Sequence, residues 1–242
     1  MNNIFLVTSA IFTPYGKISV HDRISQTIDT AISIRDKVPN VKIYLVEGGK
    51  NQLPFELRAK FKEYYDDILD FTSHQVIQFA HKQNNDAGGL LIKAPCETYL
   101  LQKACALIKV TENDRIFKIS GRYRLGDNFN LSDHHNAKGK YLFLNKLKPS
   151  TFEYIEQKGK LHIWTDYQYS TRLYSFCGSM IDKVQQNYKD IFSKIIEFYS
   201  TSNFIDLENT TYMILDPNDI VEVPVTGLEG CFADGPEIKI NE

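Results

Sequence analysis

The amino-acid sequence predicts an α/β protein with an open, mostly parallel twisted sheet that carries helices on both faces. Three observations support this fold class. The first 47 residues contain a strand, a helix and a second strand, with turn residues at each junction, and such a unit pairs its strands in parallel through a right-handed crossover. Further strand and helix patterns alternate up to residue 125, and the remainder mixes short strands with helices. With 242 residues and 43% apolar composition, the chain 1–242 is expected to form one domain.

The elements of the first half follow from apolar patterning and turn residues. Residues 4–9 form an apolar, β-branched run that is typical of a buried strand. The next helix begins behind a capping box formed by Ser19 and Asp22, and the second strand covers 41–47. We further expect helices from Pro54 to Leu69, within 71–79 and from Pro95 onward, and a strand over 114–120.

The second half has shorter apolar runs and more polar connections. Its pattern predicts a loop over 127–139, strands over 141–144, 161–164 and 172–176, helices over 179–199 and 208–215, a strand over 220–225 and a loop-like tail over 227–242.

Charge and targeting signals exclude several classes of protein. The net charge of -2, from 28 basic and 30 acidic residues, gives no overall positive field to attract nucleic acid. The four cysteines form no C-x-x-C pair, so we expect free thiols in a reducing compartment. The N-terminus lacks the features of a signal peptide, and no stretch has the roughly 20 apolar residues of a membrane span. These features predict a cytoplasmic protein whose only membrane contact is peripheral, at the inner face.

Common catalytic and nucleotide-binding motifs are absent from the sequence. It has no G-x-G-x-x-G, G-x-x-x-x-G-K-[ST], G-x-S-x-G or H-E-x-x-H pattern, which argues against dinucleotide-binding, P-loop, α/β-hydrolase and zincin classes. A nucleotidyltransferase would need a glycine-rich, lysine-bearing loop directly after the first strand. Residues 8–17 are too poor in glycine for that loop, which disfavours this alternative.

Polar side chains stand where the predicted strands end. Open α/β sheets bind ligands at the carboxyl ends of their strands, so these side chains are candidates for one site. Hydroxyls, an acceptor for a ribose or base, and cations for phosphate together suit a nucleotide diphosphate. Each residue alone has an ordinary structural explanation, and it is their coincidence that favours a ligand site. The candidates are Thr8, Ser9, Glu47, Lys93, Glu97, Lys118, Ser120 and Arg122.

Several short segments resemble a known family. Residues 22–35 and 38–47 resemble the opening of GT-A-fold glycosyltransferases, with an early helical arginine, a threonine and serine, and an acidic residue that holds the nucleoside. The matching positions here are Arg23, Thr30, Ser33 and Glu47. The segment 118–125, Lys-Ile-Ser-Gly-Arg-Tyr-Arg-Leu, is similar to one in bacterial and viral surface-glycan glycosyltransferases, and residues 171–174 and 226–230 fit the same pattern.

The resemblance implies a GT-A-like fold with a Rossmann-like first half. It implies that residues 1–125 bind a nucleotide-sugar donor and that residues 126–242 bind a glycan acceptor, in surface polysaccharide synthesis. The alternatives that stay open are a non-catalytic module that binds nucleotides or glycans and, with less support, the nucleotidyltransferase.

One departure from the family concerns the metal. Most GT-A enzymes hold Mn²⁺ or Mg²⁺ against the diphosphate with a D-x-D motif, and here residues 120–122, Ser-Gly-Arg, stand at the expected strand end. Three explanations remain open at this point. Asp127 binds the metal after a short turn, or Arg122 and Lys118 neutralise the leaving group in place of a metal, or the site has lost transfer activity.

An inverting transfer also needs a carboxylate that deprotonates the acceptor hydroxyl. In the family this base comes late in the chain near a helix start, so Glu208 is the first candidate, followed by Asp206 and Glu229. The structural alternative is that Asp206 caps the helix and Glu208 complements its dipole. The segment with Trp164, Tyr167 and Tyr169 is a possible acceptor platform, although an aromatic stripe is more often core.

Overall fold

The fold is described from a computed structural model, which covers residues 1–14, 16–83, 90–149, 161–162, 165–201, 203–231 and 239–242. Its strands and helices, in chain order, are β1 Asn3–Ser9, α1 Val20–Lys37, β2 Val41–Glu47, α2 Phe55–Phe61, β3 Asp67–Asp70, α3 Gln75–Gln83, α4 Leu90–Leu107, β4 Arg115–Ser120, β5 Tyr123–Leu125, α5 Leu131–Asn136, β6 Tyr141–Leu144, β7 Leu161–His162, β8 Leu173–Cys177, α6 Ile181–Ser200, β9 Asn203–Phe204, α7 Leu207–Ile214, β10 Ile220–Val223, β11 Leu228–Cys231 and β12 Lys239–Asn241.

Seven strands form the main sheet, in the order β10-β6-β8-β4-β1-β2-β3. The neighbours of β1 on both sides are parallel to it, as are the pairs β2–β3 and β10–β6, whereas β8 runs antiparallel to β4 and β6. The predicted mostly parallel sheet is therefore confirmed. The strand order changes direction between β1 and β4, which is where sheets of this kind bind their ligands.

Apolar side chains cover both faces of the sheet. On β1, Phe5 and Val7 pack into one cluster with α1, while Ile4 and Leu6 pack into a second cluster with α4 and α6. This alternation follows from the two-residue period of a strand. Because both faces of β1 are buried, helices lie on both sides, as the sequence predicted.

Hydroxyl groups on α1 hold the chain that follows β4. Thr30 Oγ1 lies 2.6 Å from the carbonyl oxygen of Tyr123, and Ser33 Oγ accepts a hydrogen bond of 3.0 Å from the backbone N–H of Leu125. Thr30 and Ser33 belong to the segment that resembles GT-A enzymes. Their contacts in this protein fix β5 against the helix, and so they position Arg122 next to the carboxyl end of β4.

Three predicted helices of the first half differ from the structure. The helix expected up to Leu69 ends at Phe61, and β3 follows it, because Ile68 is needed to pair with β2. The short helix expected within 71–79 is α3, which extends to Gln83. Pro95 does not begin a helix but lies inside α4, where one intrahelical bond is lost and burial of the flanking helix faces compensates.

The second half contains more regular structure than the sequence suggested. The expected loop 127–139 includes α5, and the expected tail includes β11 and β12, which form an antiparallel sheet with β5. The predicted strand over 161–164 is present as β7 at its first two residues, and Ile163 and Trp164 lie outside the described residues. Within the described ranges, no helix is long and apolar enough to cross a membrane.

Candidate functional site

The candidate site lies at the carboxyl ends of β1 and β4. The sequence-predicted residues Thr8, Lys118 and Ser120 end these two strands side by side, with Thr8 paired to Ser120 in the sheet register. Strand β8 runs antiparallel to β4, so its beginning, around Thr171, lies at the same edge. Gly121 makes this close packing possible, since a Cβ there would lie 3.3 Å from both Thr8 O and Thr27 Oγ1.

Lys118 is the buried centre of this group. Its side chain is 1% exposed, and its Nζ lies 2.5 Å from Glu97 Oε1, 2.8 Å from Ser120 Oγ and 2.5 Å from the carbonyl oxygen of Thr171. An ammonium group has three N–H donors, so all of them are used by the protein itself. Burial lowers the pKa of Lys118, and the Glu97 carboxylate opposes this change. In this structure Lys118 therefore organises the site and has no free donor for a phosphate.

Glu97 is the partner that keeps this lysine charged. It lies on α4 with a side chain that is 14% exposed, and Thr8 Oγ1 donates to Glu97 Oε1 over 3.3 Å. Burial alone would raise the pKa of Glu97, but the positive charges of Lys118, Lys93 and Arg122 hold it below the ordinary value. Glu97 is thus an anionic group that ties α4 to the ends of both central strands. We call Thr8, Glu97, Lys118, Ser120 and Thr171 the Lys118 group.

Glu208 joins the Lys118 group through a hydroxyl. Thr171 Oγ1 donates a 2.8 Å hydrogen bond to Glu208 Oε1, while the carbonyl oxygen of Thr171 accepts from Lys118. Glu208 is half-buried and lies in the first turn of α7. Its carboxylate is therefore held at the edge of the group by a fixed donor, with the remaining oxygen sites available to a ligand.

Asp206 is the N-cap residue of α7. Its carboxylate accepts from the backbone N–H of Asn209 over 2.7 Å and from the side-chain amide of Asn209 over 2.8 Å. Burial, and then the nearby charge of Glu208, raise the pKa of Asp206 to about 6. These contacts match the capping role that was the structural alternative, so Glu208 is better placed than Asp206 to act as the base.

The accessible cations around the group are Arg122 and Lys93. Lys93 is exposed, and Arg122 is half-buried with its guanidinium 5.4 Å from the ring centre of Tyr123. Both contribute positive potential at Glu97, as its lowered pKa indicates. A phosphate that approaches the ends of β1 and β4 would meet these two cations before it reached Lys118.

Glu47 ends β2 as predicted, but its carboxylate points inward. It is fully buried, and it accepts from the backbone N–H groups of Ile11 at 3.0 Å and Gly49 at 2.8 Å and from the hydroxyl of Ser9. Glu47 thus joins the loop after β1 to the loop after β2. It has no surface to offer a ribose, and Ser9 is engaged in the same network.

The burial of Glu47 predicts a pH-dependent change in stability. Loss of solvation raises its pKa from 4.5 to about 7. The folded state therefore holds a proton that the unfolded state releases, and this contribution is present below pH 4.5 and is lost as the pH rises through 7. Relative to Glu47→Gln, the wild type should lose about 3 kcal/mol of unfolding free energy across that window.

Urea denaturation at a series of pH values measures this difference. Glu222→Gln is the control, because the stability contribution of Glu222 changes with pH in the opposite direction. Burial would raise the pKa of Glu222, but the backbone N–H and the ammonium of Lys146 hold it below its usual value. A wild type and Glu47→Gln variant whose stabilities run parallel with pH would contradict the burial of a titrating carboxyl at this position.

The other predicted residues make their contacts outside the Lys118 group. Arg23 is buried on α1, and its Nε donates to the carbonyl oxygen of Ile18. Glu229 pairs with Arg124 on the surface sheet, at 2.8 Å. Asp127 is fully exposed and pairs with Lys37 at 3.0 Å. Among the described residues, no three His, Cys, Asp or Glu side chains lie together as a ready-made metal site.

Three residues that sequence reasoning did not assign also reach this edge. Thr171 bridges Lys118 and Glu208, and Arg172 follows it and pairs with the carboxylate of Glu242, which also accepts from Ser170 at 2.9 Å. The sequence offered one signal, the Thr-Arg-Leu-Tyr stretch at 171–174. It offered none for Glu242, because β12 was expected to be loop.

Comparison with known proteins supports the fold. No family model matches the sequence, and no curated protein matches it. An active-site mutant of LgtC matches with a TM-score of 0.50 at 10% identity, over 92% of this chain and 72% of that chain. Glycosyltransferase GlyE from Streptococcus pneumoniae TIGR4 matches with a TM-score of 0.48 at 10% identity, over 92% of this chain and 44% of that chain. Mouse xyloside xylosyltransferase 1 matches with a TM-score of 0.46 at 8% identity, over 92% of this chain and 85% of that chain. The chain thus spans less than half of the GlyE chain. The LgtC match confirms the predicted GT-A-like fold.

Proposed function

We propose that this GT-A-like protein is a glycosyltransferase, which moves a hexosyl or pentosyl group from a nucleotide-sugar donor to a glycan acceptor in surface polysaccharide synthesis. The observation that carries the proposal is the Lys118 group itself. It is a buried network of charges and hydroxyls at the point where the strand order reverses, which is the ligand-binding position of open α/β sheets. Such perturbed, buried charges are typical of functional sites.

The donor diphosphate needs positive charge, and we assign this role to Arg122 and Lys93. Lys93 is exposed and Arg122 is half-buried, the positive charges of both act on Glu97, and an arginine binds phosphate oxygens with two parallel hydrogen bonds. Lys118 acts indirectly. It adds positive potential to the site, while its three N–H donors remain bonded to Glu97, Ser120 and Thr171. This arrangement modifies the hypothesis that Lys118 replaces the metal directly. No step of the proposed reaction passes through a metal ion.

Glu208 is the proposed general base of an inverting transfer. Its carboxylate takes the proton of an acceptor hydroxyl, and that oxygen forms a bond to the anomeric carbon. The bond from the anomeric carbon to the phosphate oxygen breaks, and the nucleoside diphosphate leaves with the electron pair toward Arg122 and Lys93. The bond from Thr171 to Glu208 fixes the base at the edge where β8 begins.

A thermal-shift series tests the donor site. Purified protein is heated with UDP, GDP, CMP and dTDP and with their sugar conjugates, each with Mn²⁺ and with EDTA. A ligand at one hundred times its dissociation constant adds about 2.7 kcal/mol to the free energy of unfolding, which raises the melting temperature by a readily measured amount. We expect one nucleotide class to raise the melting temperature equally in Mn²⁺ and EDTA.

Arg122→Ala and Arg124→Ala form a matched pair for this assay. Arg124 lies two residues away, exposed and paired with Glu229. Loss of Arg122 should weaken nucleotide binding by about tenfold to a hundredfold, whereas Arg124→Ala should bind normally. A shift that requires Mn²⁺ would restore Asp127 as the metal candidate. Absence of a shift with every nucleotide would overturn the donor site, and binding without sugar transfer or donor hydrolysis would favour a non-catalytic module.

A further inference from the structure

A cavity of about 520 Å³ that is widely open to solvent lies beside α7, outside the Lys118 group. We call it the Tyr212 cavity, and its lining residues are Thr165, Asp166, Tyr169, Tyr212, Met213, Leu215 and Pro217. The volume is in the range of small-ligand sites. None of these residues has been assigned a role in the donor site.

Aromatic rings form one wall of the Tyr212 cavity. The Tyr212 ring centre lies 5.6 Å from that of Tyr169 and 6.0 Å from that of Tyr167, and Tyr212 is only half-buried. The Tyr169 hydroxyl donates a hydrogen bond of 3.2 Å to Glu222, which fixes the position of this ring in the wall. Tyr169 is only 3% exposed, so the half-buried ring of Tyr212 is the flat apolar surface that is open to a ligand.

Polar groups and a flexible side chain complete the cavity. The carboxylate of Asp166 is exposed, and the Thr165 hydroxyl lies within hydrogen-bond distance of Asn209 Oδ1, at 2.6 Å, and of the carbonyl oxygen of Tyr167. Met213 is 42% exposed. Apolar ring faces beside carboxylate and hydroxyl oxygens match the chemistry of a sugar, which has C–H groups on its faces and hydroxyl donors at its rim.

The Tyr212 cavity is connected to the proposed base. Tyr212 follows Glu208 by four residues on α7, so the two side chains lie on one helix face about 6 Å apart at Cβ. The backbone N–H of Tyr169 also donates to the carbonyl oxygen of Glu208, at 3.4 Å. A ligand in the cavity would therefore extend toward Glu208 along one helical turn.

We propose that the Tyr212 cavity binds a sugar ring of the acceptor saccharide and directs the next hydroxyl toward Glu208. The role as acceptor subsite rests on the proposed glycosyltransferase function. The stacking surface is Tyr212, and Asp166 accepts hydrogen bonds from sugar hydroxyls. The site selects an uncharged or cationic saccharide, because its carboxylate disfavours an anionic one.

Methionine methyl NMR tests the site directly. The chain has three methionines, of which Met213 lines the cavity, while Met180 is 7% exposed in the core and serves as the internal control. Protein labelled with ¹³C at the methionine methyls is titrated with lactose, maltose and N,N′-diacetylchitobiose at millimolar concentrations. We expect at least one disaccharide to move the Met213 signal and leave the Met180 signal in place.

Substitutions in the wall should then weaken that response. Tyr212→Leu keeps an apolar side chain at the position and should raise the dissociation constant about tenfold, and Asp166→Asn should raise it by a smaller factor. Both variants should keep the wild-type response to nucleotide. An unmoved Met213 signal with all three disaccharides, or an equal response in Tyr212→Leu, would overturn the proposal.

The nucleotide assay separates this proposal from the donor site. Nucleotide binding with an unmoved Met213 signal would overturn the Tyr212 cavity alone. A Met213 response without nucleotide binding would overturn the glycosyltransferase function, and with it the acceptor role, and leave a saccharide-binding cavity. The Arg122→Ala variant should lose nucleotide affinity and retain the Met213 response.

Discussion

Replacing Lys118 with methionine should lower the unfolding free energy by about 3–5 kcal/mol. The reason is the charge that stays behind. Glu97 would keep a carboxylate with a side chain only 14% exposed, without the ammonium 2.5 Å away that compensates it. The carbonyl oxygen of Thr171 and the hydroxyl of Ser120 would also lose their partner. We expect this loss in urea denaturation at neutral pH.

A double variant identifies the cause of that loss. Lys118→Met combined with Glu97→Gln removes both charges, and exchange of a buried ion pair for neutral groups is often close to neutral in stability. It should therefore recover most of the stability, and the cycle of single and double variants gives the coupling energy of the pair. If the double variant is as unstable as the sum of the singles, the pair does not carry the charge compensation proposed here.

Lys146→Met is the matched control for this series. Lys146 pairs with Glu222 at 2.9 Å, a distance similar to that of the buried pair, but its side chain is 40% exposed. Pairs of this kind contribute about 0–1 kcal/mol. A cost several times larger at Lys118 than at Lys146 would show that burial decides the effect, since the chemistry of the substitution is the same.

The first half of the fold was predictable because its signals are local. A run such as Ile4–Ser9 and a capped helix such as Val20–Lys37 each carry their own pattern, and their order fixes parallel pairing. The strand β3 was missed because its four residues continue an apolar helical pattern, and only pairing with β2 selects the strand. Strands β11 and β12 were missed for the same reason. β11 pairs with β5, which is about 100 residues away in sequence, and β12 pairs with β11, so no local pattern marks either strand.

The sequence predicted that Thr8, Lys118 and Ser120 lie at one edge of the sheet, but it did not predict the directions in which the side chains point. A carboxylate at the end of a strand looks the same in sequence whether it faces a ligand or, as with Glu47, the N–H groups of Ile11 and Gly49. Lys118 was expected to face phosphate for the same reason. The contacts of Lys118 with Glu97 and of Thr171 with Glu208 join distant parts of the chain, and no spacing rule reports them.

Replacing Glu208 with glutamine should reduce the turnover number of sugar transfer by about a hundredfold to ten-thousandfold. Glutamine keeps the shape of the side chain and an acceptor for Thr171 Oγ1, but it cannot take a proton from the acceptor hydroxyl. The donor dissociation constant should stay close to that of the wild type, because the base acts on the acceptor. Single-turnover transfer with the donor and acceptor found in the binding assays measures both quantities.

Two variants show whether the loss belongs to Glu208. Asp206→Asn keeps a good helix cap and should retain most of the activity, and Glu229→Gln changes only the surface pair with Arg124 and should transfer at a wild-type rate. The configuration of the product completes the argument, because a base at Glu208 is needed only when the anomeric centre inverts. A Glu208→Gln variant that remains fully active and forms a product of retained configuration would remove the base from the mechanism and leave Glu208 as a binding group for the acceptor.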